Sequence, residues 1–514
     1  MICLRIFVTY SYRLTRRHST AFLIASLIFG LTIILQLYAL RHQDHSSTHH
    51  IIGDFDYKPG AFLKDLQPNE NISYCQFNYG LPYAFNWGSL QVHPSPEGGI
   101  KGPFKVIYNA IRGTAYENVS KYDTVTYVTQ ATPEFIYHIV EIARYWDGPI
   151  SLSVFVPDYD LDITMQIMDH LCHCYSSMAK VSLHLFYHKK FPPRLGRDPV
   201  YIPVFSTPSP NETVEEAMKR KMENYKKLTN ETRAEYIQKS INNKMKRMMG
   251  SKVKRRTSAP YLSFKDCSGL DTFDLATFRR LINFIYPINV GRNSARNASR
   301  TNYFLVSDIE MVPSSGLAVK FTKMLRKLIG ARKRDKGCII PNTVFVVPVF
   351  EVQKGEHIPH DKETLVNMIA ENRAMYFHQK ICMHCQRFPG MQTWLRRPSP
   401  AGVQPMLIAR REYPYHRWEP LYFGTNREPW YSESLTWEGL QDKMTQMLEL
   451  CLQGYRMVIL DGGFLCHAAR TNTNRLFYHR ARRSNAKHYA DIIESFKLMY
   501  PDRGQCKINF GFKS

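Results

Sequence analysis

Apolar and polar positions along the chain form an alternation of short apolar runs and longer amphipathic stretches. β-Branched or apolar runs at residues 124–129, 150–156 and 180–187 alternate with helical patterns at residues 133–146 and 162–173. Strands that alternate with helices are joined by crossovers, which place the strands in parallel. The pattern predicts a βαβαβ unit and an α/β fold with a mostly parallel, doubly wound sheet.

The same alternation continues through the second half of the chain. It predicts strands at residues 303–307, 342–351 and 456–460, and helices at residues 273–286, 289–300, 315–329, 362–375, 440–452 and 489–499. Together these elements predict one large domain at residues 119–514.

A basic segment interrupts this order at residues 211–258. It contains fourteen Lys and Arg against six Glu, a net charge of +8, and few large apolar residues. Such a composition cannot supply a core, so we expect a charged surface insertion.

Residues 21–40 carry no charged side chain, which is the length and composition of a membrane-spanning helix. Before them lie Arg5, Arg13, Arg16 and Arg17 without any acid. This bias predicts a cytosolic tail at residues 1–20, a signal anchor at 21–40 and a lumenal stem at 41–118. A cleaved signal peptide fits less well, because the apolar run is longer than the usual 7 to 15 residues.

The formal net charge of +24 would suit nucleic acid, an anionic membrane or a phosphate-bearing substrate. A lumenal domain does not meet nucleic acid, so that partner is excluded. In the oxidising lumen some of the cysteines should be paired, and for Cys382 and Cys385 a disulfide is favoured over half a zinc site.

Two acids follow the apolar run at residues 303–307. If the strand continues, Asp308 and Glu310 point to one side, at the sheet edge where open α/β folds bind ligands. Two carboxylates there could hold Mg²⁺ or Mn²⁺ against a diphosphate. The chain has no glycine-rich phosphate loop, so a nucleotide would also need basic side chains. Arg292 and Arg296, one helical turn apart, are either a solvated pair or an anion clamp.

Several blocks, in this order, resemble the beta-1,4-glucuronyltransferase 1 family, which includes the glucuronyltransferase domain of LARGE-type enzymes. The resemblance covers residues 122 to about 500, apart from the insertion, and rests on YPINVGRNSAR (286–296), LVSDIEMVPS (305–314), WDGPIS (146–151), WEPLY (418–422) and LDGGFLCH (460–467).

The resemblance implies a single-pass type II Golgi transferase with a GT-A fold, acting on a glycoprotein glycan and able to form homo-oligomers or pair with another transferase. It places Asp308 and Glu310 on the motif that holds Mn²⁺ and the diphosphate of a UDP-sugar, with His467 as a third ligand. Arg292 and Arg296 would bind the diphosphate. The second acid is Glu where the glucuronyltransferase has Asp.

An inverting transfer also needs a carboxylate base for the acceptor hydroxyl. Glu419 is the first candidate, Glu433 the second, and Asp461 a further one. The family's Asn-Arg or Asn-Lys pair reads Gln441-Asp442 here, which alters the sugar end of the site.

The leading interpretation is β-linked glucuronate transfer with Mn²⁺. A neutral donor, such as UDP-xylose or UDP-N-acetylglucosamine, and a catalytically inactive glycan-binding or scaffold protein are the alternatives.

Overall fold

The computed structural model describes residues 68–69, 71–196, 259–264, 266–267, 275–330, 340–468, 478–501 and 506. The chain divides into two compact units, Met1–Asp56 and Tyr57–Ser514, and every described residue belongs to the second. The predicted cytosolic tail, membrane span (residues 21–40) and basic insertion (residues 211–258) lie outside the described residues. No helix within the described ranges is long and apolar enough to cross a bilayer.

Fifteen strands form two sheets across the described residues. In chain order they are β1 (Gln76–Phe77), β2 (Val92–Pro94), β3 (Phe104–Arg112), β4 (Thr126–Ala131), β5 (Ile150–Phe155), β6 (Val181–His188), β7 (Phe304–Val306), β8 (Met311–Pro313), β9 (Thr343–Val347), β10 (Val349–Val352), β11 (Ala374–Tyr376), β12 (Gln404–Ala409), β13 (Leu421–Gly424), β14 (Arg456–Asp461) and β15 (Leu465–Ala468). The main sheet has the order β1-β3-β6-β5-β4-β7-β13-β9-β14-β12, with β2 paired to β3, and the smaller sheet has the order β11-β10-β15-β8.

The helices described alongside them are α1 (Ile139–Tyr145), α2 (Asp160–Cys174), α3 (Phe278–Leu281), α4 (Ile288–Ala298), α5 (Leu317–Gly330), α6 (Lys362–Ala370), α7 (Met391–Arg396), α8 (Met444–Leu452) and α9 (Tyr478–Met499). Four short 3₁₀ helices in the described residues connect some of these elements, among them Pro133–His138 directly before α1.

The predicted βαβαβ unit is confirmed. Strands β4, β5 and β6 are parallel neighbours, and β7 extends the parallel set on the other side of β4. The strands of this set are buried along nearly their whole length. Burial on both faces explains why they read as continuous apolar runs rather than as alternating patterns.

The expectation of a mostly parallel sheet is wrong for the sheet as a whole. β13 lies antiparallel between β7 and β9, and β12 is antiparallel to β14. At the opposite end, β3 pairs antiparallel with β6. The fold is therefore mixed α/β: β6, β5, β4 and β7 form a parallel set, β13 lies antiparallel beside it, and both ends of the sheet also carry antiparallel strands.

The predicted stem contributes strands to this sheet. β3 is nine residues long, and its residues Val106, Ile107, Ala110 and Ile111 are fully buried. Cys75, just before β1, is disulfide-bonded to Cys172 in α2. The folded part of the chain thus begins well before residue 119, because the apolar side chains of β3 complete the core over β6.

Three further disulfides join Cys174 to Cys267, Cys382 to Cys385 and Cys451 to Cys506. The pairing expected for Cys382 and Cys385 is confirmed. It closes a short loop after β11.

A second core cluster packs the smaller sheet and its helices against the main sheet. Its largest side chains, Trp394 and Trp418, are nearly or fully buried. Trp418 is the residue before Glu419, so this cluster fixes the backbone at one of the predicted catalytic positions.

Candidate active site

The carboxyl ends of β4 and β7 form the floor of the site. Asp308 is the second residue after β7, and Gln130 is the penultimate residue of β4. The Gln130 side-chain amide donates to Asp308 Oδ1 over 3.0 Å, while its oxygen accepts from the Tyr286 hydroxyl over 2.9 Å. This is the sheet edge at which open α/β folds bind ligands.

Two cations, the buried Arg292 and the largely buried Lys443, converge on Asp308. Arg292 Nη2 lies 2.7 Å from Oδ1, and Lys443 Nζ lies 2.8 Å from Oδ2. Burial alone would raise the pKa of this carboxyl, but the charges of Lys443 and Arg292 hold it well below its usual range. Asp308 is therefore ionised and neutralised by the protein itself.

The side chains of Asp308 and Glu310 contact different residues. β7 ends at Val306, and the chain turns at once, with the Met311 amide donating to the Asp308 carbonyl over 3.0 Å. The strand thus does not continue to Glu310, and the condition on which both carboxylates would point to one side is not met.

Glu310 lies between two imidazoles. Its Oε2 is 3.3 Å from His467 Nε2, and its Oε1 is 3.8 Å from His138 Nε2. His467 belongs to β15, which pairs with β8 so that His467 is opposite Met311, next to Glu310. Glu310 and His467, two predicted metal ligands that are 157 positions apart in sequence, thus meet through the smaller sheet.

Glu310 and His467 present the oxygen and nitrogen ligands that suit Mn²⁺. The buried Nδ1 of His467 has no hydrogen-bond partner among the described residues. Within the described ranges, no three His, Cys, Asp or Glu side chains are grouped closely enough to hold an ion by themselves. The pair fits as part of a metal site whose remaining ligands would be water and substrate oxygens. That Asp308 ligates the metal stays a prediction.

Arg292 is buried in α4 and connects two acids. Besides Asp308, it bonds Asp442 and the Asn289 side chain, the latter over 2.8 Å. Burial would lower its pKa, but Asp308 and Asp442 raise it above the usual range. Asp442, which stands where the resembling family has a cation, thus pairs with Arg292.

Arg296 lies one turn further along α4 and is used differently. Its guanidinium donates to the backbone carbonyls of Pro429, Thr425 and Glu428, the first over 2.7 Å, and lies 4.4 Å from the centre of the Trp430 ring. It holds the loop after β13 rather than facing Asp308. The anion-clamp prediction for Arg296 therefore finds no support in its contacts.

The carboxylate of Glu419 is not engaged by any other described residue. Its backbone is fixed by hydrogen bonds to Cys385 and Gln386, each 2.8 Å long. Its side chain makes no hydrogen bond or ion pair within the described part of the chain. Burial raises the pKa of Glu419 to about 7, although Lys443, Arg411 and Arg292 act in the opposite direction. A carboxyl poised near neutral pH is suited to general base catalysis.

The carboxylates of Glu433 and Asp461 are engaged in structural hydrogen bonds and ion pairs. Glu433 accepts hydrogen bonds from the backbone amides of Glu97 and Gly98, at 3.1 and 2.9 Å, and from Asn293 over 3.2 Å. Asp461 is fully buried and pairs with Lys362 over 2.7 Å. Of the three base candidates, only Glu419 has a carboxylate that the described protein leaves available.

Sequence reasoning missed four side chains of the site: Gln130, His138, Lys443 and His378. Lys443 directly follows the Gln441-Asp442 pair, so the sequence shows its charge but not where its side chain points. His378 follows β11, and its pKa is lowered to about 4 by burial and by the nearby charges of Lys443 and His467. Only tertiary packing brings these residues to the site, and no local pattern marks them.

The chain is similar in sequence to known glycosyltransferases. Residues 124–501 match the family described as "Glycosyl-transferase for dystroglycan". The chain is 24% identical over 402 residues to "Beta-1,4-glucuronyltransferase 1" of Bos taurus, covering 77% of this chain and 80% of the relative. It is 30% identical over 222 residues to the protein of that name from Danio rerio, covering 43% and 49%.

A more distant similarity extends to "Xylosyl- and glucuronyltransferase LARGE1" of Homo sapiens, with 23% identity over 189 residues, or 35% of this chain and 22% of that protein. The resemblance found from the motifs is thereby confirmed. Since the family match spans most of the chain and includes Asp308, Glu310, Glu419 and His467, this chain belongs to that glycosyltransferase family.

Proposed function

We propose that the chain transfers glucuronate in β linkage from UDP-glucuronate to a glycoprotein glycan, with Mn²⁺, through a GT-A type site. The observation that carries the proposal is the meeting of two buried cations, Arg292 and Lys443, beside the unoccupied carboxylate of Glu419. A nucleoside diphosphate and a uronate both need such cations, because an unpaired buried anion is costly.

Lys443 supplies the cation that the Gln441-Asp442 sequence lacks. It is only 12% exposed, and burial would lower its pKa, but Asp308 keeps the pKa above its usual value. The ammonium has three donors, and among the described residues it bonds Asp308 alone, which leaves donors for a substrate anion. Arg292 and Lys443 together balance the charges of Asp308 and Asp442, so neither acid is left uncompensated beside a substrate anion.

In the proposed reaction the acceptor hydroxyl oxygen attacks C1 of the sugar from the face opposite UDP. The C1–oxygen bond to the diphosphate breaks, UDP leaves with the bonding electrons, and Glu419 takes the hydroxyl proton. Mn²⁺, when held by Glu310 and His467, supplies positive charge to the diphosphate oxygens. Arg292 fixes Asp308, so that Lys443 stays at the anion site.

We further propose a Golgi, type II placement through residues 21–40, which is supported by the four arginines before that apolar run. A neutral sugar donor is the second candidate, favoured by the word "xylosyl" in the name of the LARGE1 relative. An inactive scaffold is disfavoured because Asp308, Glu310, Glu419 and His467 are all present in one site.

A panel of labelled UDP-sugars tests the proposal. The lumenal protein should transfer glucuronate to a glycoprotein acceptor with Mn²⁺, and a chelator should remove the activity. Preferred transfer of xylose or N-acetylglucosamine would select the second candidate. Binding of every donor without turnover would select the scaffold.

A further inference from the structure

The turn that leads into α8 has a backbone conformation that its residues do not favour. We call residues 436–443 the Lys443 turn. Leu440 has φ 62° and ψ 169°, a region that only glycine occupies freely, and Gln441 follows with φ 58°. Such conformations cost free energy and persist only where neighbouring parts of the protein hold them. Lys443, whose ammonium lies 2.8 Å from Asp308, is at the end of this turn.

The C-terminal helix holds the turn through one buried asparagine. Asn485 lies in α9 and is 1% exposed. Its side-chain oxygen accepts from the Thr436 amide over 3.0 Å and from the Thr436 hydroxyl over 3.1 Å. Its side-chain nitrogen donates to the carbonyls of Thr436 and Leu440, over 2.8 and 2.9 Å. These four bonds use both donors and both acceptor sites of the asparagine side chain.

Asn485 interrupts an otherwise apolar face of α9. Ala481 and Tyr489, one turn before it and one turn after it, are both buried. Tyr489 belongs to a buried cluster with Leu435 and Met444, which flank the Lys443 turn on either side. These apolar contacts dock the helix without any need for a polar side chain at position 485. A buried polar side chain that is fully satisfied fixes its partners in one arrangement, and here the partner is the backbone of the turn.

A second buried asparagine holds the other end of the turn. The Asn289 side-chain amide donates to the Ser432 and Asp442 carbonyls, each over 2.8 Å, and its oxygen accepts from Arg292. Asn289 thus contacts a cation of the site, whereas Asn485 bonds only the turn among the described residues. A substitution at Asn485 therefore releases the turn without removing a partner of Arg292.

We propose that Asn485 is a positioning residue, which keeps Lys443 on Asp308 by holding the strained turn. Without its side chain, the Thr436 and Leu440 carbonyls lose their donors, and Leu440 relaxes to an ordinary φ. That change redirects the chain before Lys443. The consequence for the sugar donor rests on the proposed function: a displaced ammonium no longer faces the uronate, so the preference for an acidic sugar falls.

Lysine modification measures the position of Lys443 without donor, metal or turnover. The full-length protein is treated with an amine-reactive reagent under native conditions, and mass spectrometry follows the rate at each lysine. Asn485→Ala should raise the rate at Lys443 about tenfold, the effect expected when one strained residue relaxes. Lys362, which is 3% exposed and paired with Asp461, is the internal control for general loosening, and its rate should not change.

Two further variants support this measurement. Asn485→Asp keeps an acceptor oxygen but loses both donors, so it should act in the same direction and replaces the alanine variant if that protein does not fold. Glycine adopts the observed φ without cost, so Leu440→Gly added to Asn485→Ala should reverse most of the increase at Lys443. Leu407→Gly, at a leucine of β12 with similar exposure, 39% against 41%, should not reverse it.

Three results would each overturn the proposal: an unchanged rate at Lys443 in both Asn485 variants, an equal rise at Lys362, or equal reversal by the two glycine substitutions. Competition binding then tests the consequence for the donor. The preference for UDP-glucuronate over UDP-glucose should fall in Asn485→Ala, and adding Lys443→Met should cause no further fall. A further fall of full size would show that the two residues act separately. An unaltered protein without this preference would contradict the proposed function, while the modification rates still decide the role of Asn485.

Discussion

Glu419 and Glu433 carry the same functional group, but their surroundings give them different chemistry. Glu433 uses both oxygens to bind backbone amides near residue 97, whereas Glu419 has no hydrogen bond to its carboxylate within the described ranges. Acceptor bonds stabilise the ionised form and occupy the lone pairs that a base needs. Hydrogen bonding therefore separates two candidates that sequence alone ranked but could not decide between.

Glu419→Gln should lower kcat by about 10²- to 10⁴-fold, the usual contribution of a general base, because the amide cannot accept the hydroxyl proton. The KM for the donor should change little. Steady-state transfer kinetics check this, with Glu494→Gln as an exposed control. Wild-type turnover in Glu419→Gln would rule out Glu419 as the base.

The pH dependence follows from the same carboxyl. Burial raises the pKa of Glu419 to about 7, and the base acts only when ionised. Thus kcat/KM should rise with pH and reach half its plateau near pH 7, with the lower limb lost in Glu419→Gln. A profile that is flat between about pH 5 and 8 would contradict the assignment.

At the scale of elements, α4 shows how two arginines on one helix face divide their roles. Arg292 points to the acids of the site, while Arg296 binds three carbonyls of the loop between β13 and α8. That loop leads to Tyr431 and Glu433, so Arg296 shapes the site's wall without contacting Asp308.

Arg296→Met should lower the free energy of unfolding by about 2–4 kcal/mol, because it leaves buried carbonyls without donors. Denaturant unfolding measures this, with Arg300→Met, at an exposed position, as the control. If stability stayed unchanged while the KM for UDP-sugar rose, Arg296 would instead bind the diphosphate.

The sequence predicted the central strands and most helices because fully buried strands and amphipathic helices leave clear patterns. The predicted strand at residues 342–351 divides at Pro348 into β9 and β10, which enter different sheets. β8, β13 and β15 are only three or four residues long, too short to show a period. Asp308, Glu310 and His467 were found from motifs, but the pairing of Lys443 with Asp308 depends on tertiary packing over 135 positions.

At the scale of the whole molecule, the N-terminal strands belong to the folded domain. β3 covers β6 along the edge of the parallel set, and the Cys75–Cys172 disulfide joins the segment before β1 to α2. The sequence around these strands contains few apolar residues, and only β3 has a buried apolar pattern. The sequence therefore does not reveal that this segment belongs to the folded domain.

A protein that begins at residue 68 should therefore fold and be secreted, and one that begins at residue 119 should not. The shorter protein loses β3 and a disulfide of the kind whose removal costs about 2–5 kcal/mol. The two proteins are compared by the amount that is secreted and by their thermal unfolding. Equal melting temperatures would show that β1–β3 add nothing to the stability of the domain.

The central claim is that the site recognises a uronate. Competition binding between UDP-glucuronate and UDP-glucose, with Mn²⁺ present, tests it most directly, because the two donors differ only at the carboxylate. With Lys443 and Arg292 at the anion site, the affinity for UDP-glucuronate should be about tenfold higher than for UDP-glucose, or higher still. Lys443→Met should reduce that preference. Equal or weaker binding of UDP-glucuronate by the unaltered protein would contradict the claim.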